Sequence, residues 1–289
     1  MDSESLRIFV AVAAELSITQ AAARLGRVPS SVTTRIQQLE ADVGAPLFIR
    51  AGKRISLSDA GARFLEYAQR LLALADEARH VVTEGRAGGT LRIGTMESTA
   101  ASRLPSVLAA FNAQHPETRI DLSTSPSRQL LEQVHDGRLD CGFLALPASL
   151  GGRTGLKALG LAAQKLWREE LLLLLPCGEH EVRRASDVKA RALAAFKQGC
   201  TYRAIAEERL GVAGSADWTV HELSSYHAMM ACVAAGACVT LLPASVLALS
   251  DAASTLPTLS VGHADTYLVW RDGYDVPAFR DFRQAVSKT

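Results

Sequence analysis

"SITQAAARLGRVPSSVTTRIQQLE", residues 17–40, has the pattern of two short helices joined by a turn. Ser17 predicts an N-cap, because its hydroxyl can accept a hydrogen bond from a following backbone N–H, and strong helix formers continue to Gly26. Pro29 suits the first turn of the next helix, because its φ is already fixed near the helical value. The stretch contains three arginines and no acid before Glu40, although the whole 289-residue chain has a formal net charge of only +1.

The second of these helices has one apolar and one polar face. Its apolar stripe consists of Val32, Ile36 and Leu39, and the opposite face carries Ser31, Thr34, Arg35 and Gln38. An amphipathic helix precedes the pair, with apolar residues at Leu6, Phe9, Val10, Ala13 and Leu16. Two helices joined by a tight glycine turn, the second bearing hydroxyls, amides and arginine, are typical of a DNA-reading helix-turn-helix. A surface that approaches phosphates excludes carboxylates, although a solvated three-helix bundle is the alternative.

The next segment continues the exclusion of acids. Residues 44–58, "GAPLFIRAGKRISLS", carry Arg50, Lys53 and Arg54 around a glycine turn. Two short strands around such a turn are expected of a β-wing beside a reading helix. The first 58 residues therefore predict an all-α winged helix-turn-helix unit.

A long helix follows, with Ser58 as its expected cap. Apolar or small residues recur in steps of three and four, which is the spacing of a coiled-coil seam: Gly61, Phe64, Ala68, Leu71, Ala75, Ala78 and Val82. A helix that reaches Gly85 is roughly 40 Å long at 1.5 Å per residue. The seam predicts a dimer through this helix, and packing of the helix on its own domain is the alternative.

The remainder of the chain alternates strands and helices. After "RAGGT" (residues 86–90) come "LRIGT", a helix, "RIDLSTS", a second helix and "LDCGFLA", which predicts parallel strands with helices on their faces. Near Leu166 the chain enters a second series of this kind, and it returns to the first with "TYLVWRDGYDVPAFRDFRQAV" (residues 266–286). We therefore expect two α/β lobes with a cleft between them.

At this point the chain resembles the LysR-type transcriptional regulators. The N-terminal resemblance rests on "FVAVAAELSITQAAARL", "VTTRIQQLEADVGAPLF" and "IRAGKRISLSDAG", and the later one on "LRIGTMESTAASRLP", "LDCGFLA", "FKQGCTYR", "VAAGACVTLLP" and "TYLVWR". It implies a C-terminal domain similar to periplasmic binding proteins, a small effector in the cleft, pairing of the linker helices into a dimer and assembly into a tetramer. It also implies DNA contacts from the third helix and the wing.

Together these observations predict an α/β protein with three parts. They are a winged helix-turn-helix domain at residues 1–58, a linker and dimerisation helix with its joint at 59–87, and a two-lobed effector-binding domain at 88–289. We place lobe I at about 88–163 and 266–289, and lobe II at about 164–265. The candidate contacts to double-stranded DNA are Thr19, Gln20, Pro29, Ser30, Ser31, Thr33, Thr34, Arg35, Gln38, Arg50, Lys53 and Arg54.

The candidate effector site lies where ligands of open α/β sheets collect, at the carboxyl ends of strands and beside helix N-termini. The hydroxyls and helix-start N–H groups expected there suit a carboxylate or another anion, although ordinary helix capping is the alternative for each Ser or Thr. Glu97 favours an amine instead, or requires Arg203 as a partner. The candidates are Thr95, Glu97, Ser98, Thr99, Leu144, Leu146, Cys200, Thr201, Tyr202, Arg203, Ser224 and Ser225.

The sequence offers little for catalysis or for a metal. It lacks GxSxG, HExxH, P-loop and GxGxxG motifs, and His221 and His227 do not have metal-ligand spacing, so we expect neither an enzyme nor a cofactor. The alternatives are a solute-binding module or an unrecognised enzyme with an appended DNA-binding domain. The five cysteines are scattered without a CxxC pair, which predicts reduced thiols; Cys200 is either a redox sensor or a buried inert thiol.

Residues 228–249 carry no charge and are long enough to span a membrane. Gly236 and Pro243 divide the segment, however, and predict a helix, a short strand and a second helix start in a soluble core. The first ten residues contain acids and lack the basic and apolar regions of a secretory signal. We therefore expect a cytoplasmic protein without a membrane partner.

Overall fold

The computed structural model describes residues 1–51, 54–82, 89–251, 253 and 255–288. They fall into two compact units, one that ends with a long helix and one that begins with the first strand of a large sheet. The elements of the N-terminal unit are α1 (Ser3–Glu15), α2 (Ile18–Arg24), α3 (Pro29–Val43), β1 (Phe48–Ala51), β2 (Arg54–Leu57) and α4 (Asp59–Val82).

Side-chain caps set the starts of the first helices. Asp2 accepts a 2.7 Å hydrogen bond from the backbone N–H of Ser5 at the start of α1, and Ser17 accepts one of 3.3 Å from Gln20 at the start of α2. α3 begins at Pro29. The predicted roles of Ser17 and Pro29 are confirmed. α1 ends at Leu16, which adopts the left-handed conformation with a φ of 46°.

The core of the N-terminal unit forms around Phe9, which is fully buried. Its ring lies 5.4 Å from that of Phe48 at the start of the wing and 5.2 Å from that of Phe64 in α4. Glu40 fixes the wing to the end of α3, because its Oε1 accepts hydrogen bonds from the backbone N–H groups of Leu47 (2.7 Å) and Phe48 (3.1 Å). The single acid of the opening stretch therefore has a structural role.

The wing is an antiparallel pair of strands, as predicted, in which Phe48 of β1 pairs with Leu57 of β2. Ser58 caps α4 by accepting a 2.9 Å hydrogen bond from the N–H of Gly61. A side chain at Gly61 would be impossible without a backbone shift, because a Cβ there would lie 2.0 Å from the carbonyl oxygen of Leu47.

The predicted seam of α4 is wrong for its first half. Gly61 and Ala68 are buried and Phe64 packs on the core of its own unit, because Phe9 and Phe48 provide an apolar surface for them. Beyond Phe64 another face of α4 exposes large apolar side chains, with Tyr67 60% and Leu74 61% exposed. The exposed stripe comprises Tyr67, Leu71, Leu74 and Ala78.

The C-terminal unit is built on one eight-stranded sheet with the order β4-β3-β5-β10-β6-β9-β7-β8. Its strands are β3 (Thr90–Thr95), β4 (Arg119–Thr124), β5 (Cys141–Ala145), β6 (Leu161–Leu174), β7 (Ala192–Ala195), β8 (Thr219–Glu222), β9 (Val239–Pro243) and β10 (Thr258–Arg271). Its helices are α5 (Glu97–Ser102), α6 (Leu104–Gln114), α7 (Ser127–His135), α8 (Arg153–Ala158), α9 (Thr201–Leu210), α10 (Tyr226–Ala234), α11 (Ala244–Leu247) and α12 (Pro277–Ser287).

Two long antiparallel strands, β6 and β10, run through both lobes. β5 pairs with residues 266–270 of β10, whereas β9 pairs with residues 171–174 at the other end of β6. The parallel strands β3, β4 and β5 thus build lobe I, and β7, β8 and β9 build lobe II. The ladder between β6 and β10 shifts register between Ser260 and Gly262 and again between Thr266 and Tyr267.

Each lobe has its own apolar core. In lobe I, α6 and α12 cover the sheet, with Phe111 and Phe282 packed edge to face at 5.3 Å. In lobe II, α10 and α11 cover β9 and β7. Residues 228–249 form most of α10, then β9 and α11, so the predicted division of this apolar segment is confirmed. Among the described residues no helix combines the length and the apolarity needed to cross a bilayer.

Candidate functional site

The polar face of α2 and α3 is accessible along its length. The predicted DNA contacts on these helices are all exposed or half-buried, namely Thr19, Gln20, Pro29, Ser30, Ser31, Thr33, Thr34, Arg35 and Gln38. The opposite stripe of α3, with Val32, Ile36 and Leu39, is at most 1% exposed. The Thr33 and Thr34 hydroxyls donate to the carbonyls of Pro29 and Ser30, both at 3.0 Å. These bonds orient the threonine methyl groups and hydroxyl oxygens on the exposed face.

The three arginines of the opening stretch each pair with an acid near α1. Arg24 lies 3.1 Å from Glu15 and Arg35 lies 3.6 Å from Asp2, and Arg27 pairs with Glu4. These pairs are exposed, so water and salt screen them and their net strength is small. Phosphate oxygens can therefore replace the carboxylates as partners of the arginines. Lys53 and the side chains of Arg50 and Arg54 lie outside the described residues.

A cavity of about 380 Å³ lies between the two lobes of the C-terminal unit. Its walls come from the carboxyl ends of β3 and β4 in lobe I and of β7 and β8 in lobe II, as expected for open α/β sheets. The lining residues are mainly hydroxyl-bearing and aromatic: Met96, Glu97, Ser98, Thr124, Ser125, Pro126, Ser127, Phe196, Lys197, Cys200, Tyr202, Glu222, Leu223, Ser224 and Tyr226.

Five of the twelve predicted effector contacts line this cavity, namely Glu97, Ser98, Cys200, Tyr202 and Ser224. The other seven do not: Thr95, Thr99, Leu144, Leu146, Thr201, Arg203 and Ser225. Thr201 instead donates a 2.9 Å hydrogen bond to the carbonyl of Ala145 at the end of β5, which ties α9 to lobe I. Thr95 is fully buried and donates to the Met96 carbonyl at 3.0 Å.

Arg203 forms ion pairs within lobe II. Its guanidinium donates to Glu207 at 2.7 Å and to Glu222 at 2.6 Å, and also to the carbonyl of Phe196 at 3.1 Å. These contacts hold the loop after β7 and the end of β8 against α9. Arg203 is therefore a support of the cavity wall, and not the partner of Glu97 that the sequence leaves open.

Three buried polar atoms of the cavity wall lack a hydrogen-bond partner among the described residues. They are Oε2 of Glu97, Oγ of Ser127 and the hydroxyl oxygen of Tyr202. Burial raises the pKa of Glu97, and the backbone N–H of Tyr226 and the nearby His227 oppose this only in part. Burial also raises the pKa of Tyr202, so its phenol stays protonated. A bound molecule can satisfy all three groups.

The residues that sequence reasoning missed lie mainly on two loops. Thr124 ends β4 and Ser125 and Ser127 follow it, and Phe196 and Lys197 follow β7. The carboxyl-end rule that selected "TMEST" applies equally to the strand "RIDLSTS" and would have found the first group. The strand before Phe196 is only four residues long, "ALAA", and its composition gives no strong strand signal.

Cys200 lines the cavity, but its environment does not activate it. Burial raises the pKa of its thiol, and the weaker influence of Arg203 and the backbone N–H groups at the start of α9 opposes this. Oxidation proceeds through the thiolate, which a raised pKa disfavours. Of the two interpretations of Cys200, the inert thiol is therefore favoured.

A winged helix-turn-helix unit followed by a two-lobed α/β unit with a ligand-sized cavity is the architecture of a ligand-responsive transcriptional regulator. Residues 3–62 match the family model for the bacterial regulatory helix-turn-helix protein of the lysR family. Residues 84–289 match the model for the LysR substrate binding domain. The chain therefore belongs to the LysR family of transcriptional regulators.

Relatives and solved structures extend this match over the whole chain. The HTH-type transcriptional regulator GltR of Bacillus subtilis is 31% identical over 281 residues, which cover 93% of this chain and 92% of the relative. YofA of the same organism is 30% identical over 294 residues, covering 100% and 99%. The crystal structure of CbnR, a LysR family transcriptional regulator, matches with a TM-score of 0.68 and 23% identity over 100% of this chain and 99% of that one.

A full-length OxyR variant from Pseudomonas aeruginosa matches with a TM-score of 0.70 and 20% identity, covering 99% of this chain and 94% of that one. At these identities the two solved structures show that the fold is shared. The family membership rests on the sequence matches.

Proposed function

We propose that the cavity between the lobes is the effector site of this LysR-type regulator and that effector binding there controls its binding to promoter DNA. The observation that carries the proposal is the cavity itself, which both lobes line and which contains buried polar atoms without partners among the described residues. A ligand that contacts both lobes favours one relative placement of them. It can change DNA affinity only by its different affinity for the two placements.

The DNA-binding surface in this proposal is the polar face of α2 and α3 together with the wing. Its support is the exposed, acid-free row of hydroxyls and amides on α3, with arginines beside it. Thr34→Ala removes a hydroxyl and a methyl group from the reading face, so preference among operator variants should change. A gel shift with DNA from upstream of the coding region provides the measurement, and an equal loss on every sequence would contradict a reading role.

The dimer interface in this proposal is the exposed stripe of α4. Tyr67, Leu71, Leu74 and Ala78 follow one another in steps of four, three and four, which is coiled-coil spacing, and the three large side chains are at least 41% exposed. Leu71→Glu places like charges opposite each other in a two-stranded seam. Sedimentation should then show a lower mass. Ala62→Glu lies nine residues away, on the opposite side of the helix, and should leave the mass unchanged.

The proposed function also includes the domain bounds, the localisation and the assembly that the sequence predicts. The domains are residues 1–58, 59–87 and 88–289; the protein is cytoplasmic and is not an enzyme, and the dimers assemble into tetramers. The twelve DNA contacts and the five effector contacts that line the cavity remain those predicted from the sequence.

The central test of the proposed effector site is a variant that fills the cavity. Ser224 is an exposed residue on the loop before α10, so Ser224→Trp adds volume at the cavity wall without disturbing the core. The variant should lose the response to effector in a reporter assay and retain operator binding without effector. Ser186→Trp, an exposed position away from the lining residues, is the matched control. A wild-type response from Ser224→Trp would place the effector site elsewhere.

A further inference from the structure

We propose that the effector is an amino acid, whose ammonium group binds Glu97 and whose carboxylate binds at Ser127 and the N-terminus of α7. The inference rests on the proposed function, because it takes the cavity between the lobes as the effector site. It adds the chemical class of the ligand, which follows from the groups that the cavity leaves without partners among the described residues.

Glu97 supplies the site for a cation. Its Oε2 is buried and has no hydrogen-bond partner in the described part of the chain, and Arg203 is held by Glu207 and Glu222. A buried carboxylate oxygen without a donor is unfavourable, because it has lost its hydrogen bonds to water without gaining others. An ammonium group provides both the missing donor and the opposite charge, whereas an anion at this position would be repelled.

Aromatic side chains line the same cavity. Tyr226 is buried at the start of α10, and its ring packs edge to face with that of Phe196 at 4.9 Å. Tyr202 is also buried and contributes to the wall a hydroxyl that no described residue pairs. Aromatic faces attract organic cations, and a phenol can accept a hydrogen bond from an ammonium group. The walls beside Glu97 are therefore suited to an amine and not to a second anion.

Ser127 supplies the site for an anion. It is the first residue of the nine-residue helix α7, it lines the cavity and is 1% exposed, and its Oγ has no hydrogen-bond partner among the described residues. Helix N-termini favour negative charge, and a serine hydroxyl there adds a donor. Lys197 lines the same cavity from lobe II. A carboxylate can therefore contact both lobes.

The size of the cavity agrees with a small zwitterion. A volume of about 380 Å³ is at the lower end of the roughly 300–1,000 Å³ typical of small-molecule sites. The apolar wall formed by Met96, Pro126, Phe196 and Leu223 leaves space for an amino-acid side chain. The cavity thus combines one cation site, one anion site and an apolar wall, which are the three parts of an amino acid.

The first experiment tests the ligand class on the full-length wild-type protein. The probes are the twenty proteinogenic L-amino acids, tested by thermal shift and then by calorimetry. For each amino acid that binds, the matched 2-hydroxy acid lacks the ammonium group and the matched decarboxylated amine lacks the carboxylate. At least one amino acid should raise Tm, and both of its analogues should bind at least tenfold more weakly. Failure of all twenty to bind, or equal binding of the hydroxy acid, would overturn the proposal.

The second experiment tests the two residues. Glu97→Gln should weaken binding of the identified amino acid at least tenfold, and Ser127→Ala should weaken it several-fold. Glu208→Gln removes an exposed carboxylate of α9 that does not line the cavity, and should leave the affinity unchanged. Wild-type affinity in Glu97→Gln would overturn the role of Glu97. If that variant does not fold, the analogue series on the wild type still decides the ligand class.

A reporter assay separates this inference from the proposed function. If Ser224→Trp loses the effector response but Glu97→Gln keeps it, the cavity is the effector site and the assignment of the ammonium group to Glu97 is wrong. If Ser224→Trp keeps the response, the proposed function itself is wrong. Loss of the response in both variants, with retention in Glu208→Gln, is the result we expect.

Discussion

Glu169 and Glu97 lie in the same unit, but their carboxylates have opposite environments. Glu169, on β6, is 5% exposed and accepts two hydrogen bonds from Arg103, at 2.7 and 3.1 Å, and one of 2.8 Å from Ser245. Glu97, at the start of α5, has a buried oxygen that has no hydrogen-bond partner among the described residues. The carboxylate of Glu169 therefore has its partners within the protein, whereas one oxygen of Glu97 has none among the described residues.

The difference separates a carboxylate that holds the fold from one that is available to a ligand. Glu169 and Ser245 belong to lobe II, whereas Arg103 lies between α5 and α6 of lobe I, so this network joins the two lobes. The Ser102 hydroxyl extends it with a 3.1 Å bond to Ser245. Both carboxylates are at least partly buried, but only Glu97 has an oxygen that is left without a hydrogen-bond partner among the described residues and is therefore available to a ligand.

The N-terminal unit provides a third case, in which carboxylates are exposed. Asp2 and Arg35 are 59% and 40% exposed at the side chain and lie 3.6 Å apart. Water solvates both groups whether or not they are paired, so the pair has little effect on stability. Burial, and not the presence of an ion pair, therefore decides how strongly each charge affects the fold.

The largest effect on stability is expected when the network of Glu169, Arg103 and Ser245 is broken. Arg103→Met leaves Glu169 buried without its cation, so the free energy of unfolding should fall by about 3–5 kcal/mol. Denaturant unfolding of the full-length protein provides the measurement. Arg128→Met removes an arginine that is 77% exposed and pairs with Glu132, and it should change the free energy of unfolding by less than about 0.5 kcal/mol. Similar losses in both variants would remove the distinction between buried and exposed pairs.

A smaller effect on stability, of opposite sign, is expected at Glu97. Without ligand, Glu97→Gln should raise the free energy of unfolding by about 1 kcal/mol at pH 7, because it removes a buried charge that lacks a full set of donors. Glu208→Gln is the control on the exposed surface of α9. A loss of stability in Glu97→Gln would mean that the carboxylate already has adequate partners in the free protein.

The pH dependence of that difference follows from the raised pKa of Glu97. An acid whose pKa is higher in the folded than in the unfolded state destabilises the fold at pH values above both pKa values. As the pH falls through the raised value, Glu97 takes up a proton in the folded state first, and the destabilisation is lost. The stability difference between Glu97→Gln and wild type should therefore be largest near pH 7 and disappear below about pH 4. Urea unfolding at a series of pH values measures it.

The smallest effect on stability is expected at the exposed pair. Asp2→Ser preserves an N-cap for α1, so the free energy of unfolding should change by less than about 0.5 kcal/mol. The affinity for DNA should nevertheless rise about twofold at low salt, because Arg35 loses a competing carboxylate. Fluorescence anisotropy over a salt series checks both the increase and its decline at higher salt. Asp42→Ser is the control, because the carboxylate of Asp42 pairs with the N-terminal amine and not with an arginine of α3.

The N-terminal unit could be predicted in detail because its signals are local. Ser17, Pro29 and Ser58 act within three or four residues of their own positions, so the sequence alone shows their roles. The seam of α4 was only half predictable. Two apolar patterns with three-and-four spacing overlap on this helix, and the tertiary contacts of Phe64 decide which one is buried.

The position of the cavity could be predicted from the sequence, but most of the residues that line it could not. The carboxyl-end rule selects the correct end of the sheet, but the direction of each side chain depends on the packing between lobes. Thr201 and Ser225 lie on the selected segments, yet neither lines the cavity, and the Thr201 hydroxyl is used by the carbonyl of Ala145. The partners of Arg203 are also not visible in the sequence, because Glu222 comes from a different strand.

The lobes are connected through the middle of β6 and β10, and this limits how they can move. Both strands are continuous across the boundary, so rotation of one lobe must twist a two-stranded ribbon without breaking its ladder of hydrogen bonds. The register shift between Thr266 and Tyr267 falls at that boundary, and such bulges increase local twist and bending. The ribbon keeps the two lobes joined in both placements, so an effector acts by favouring one twist of it over the other. Close analogues of the effector that distinguish the two placements less strongly should act as partial agonists with graded transcriptional output.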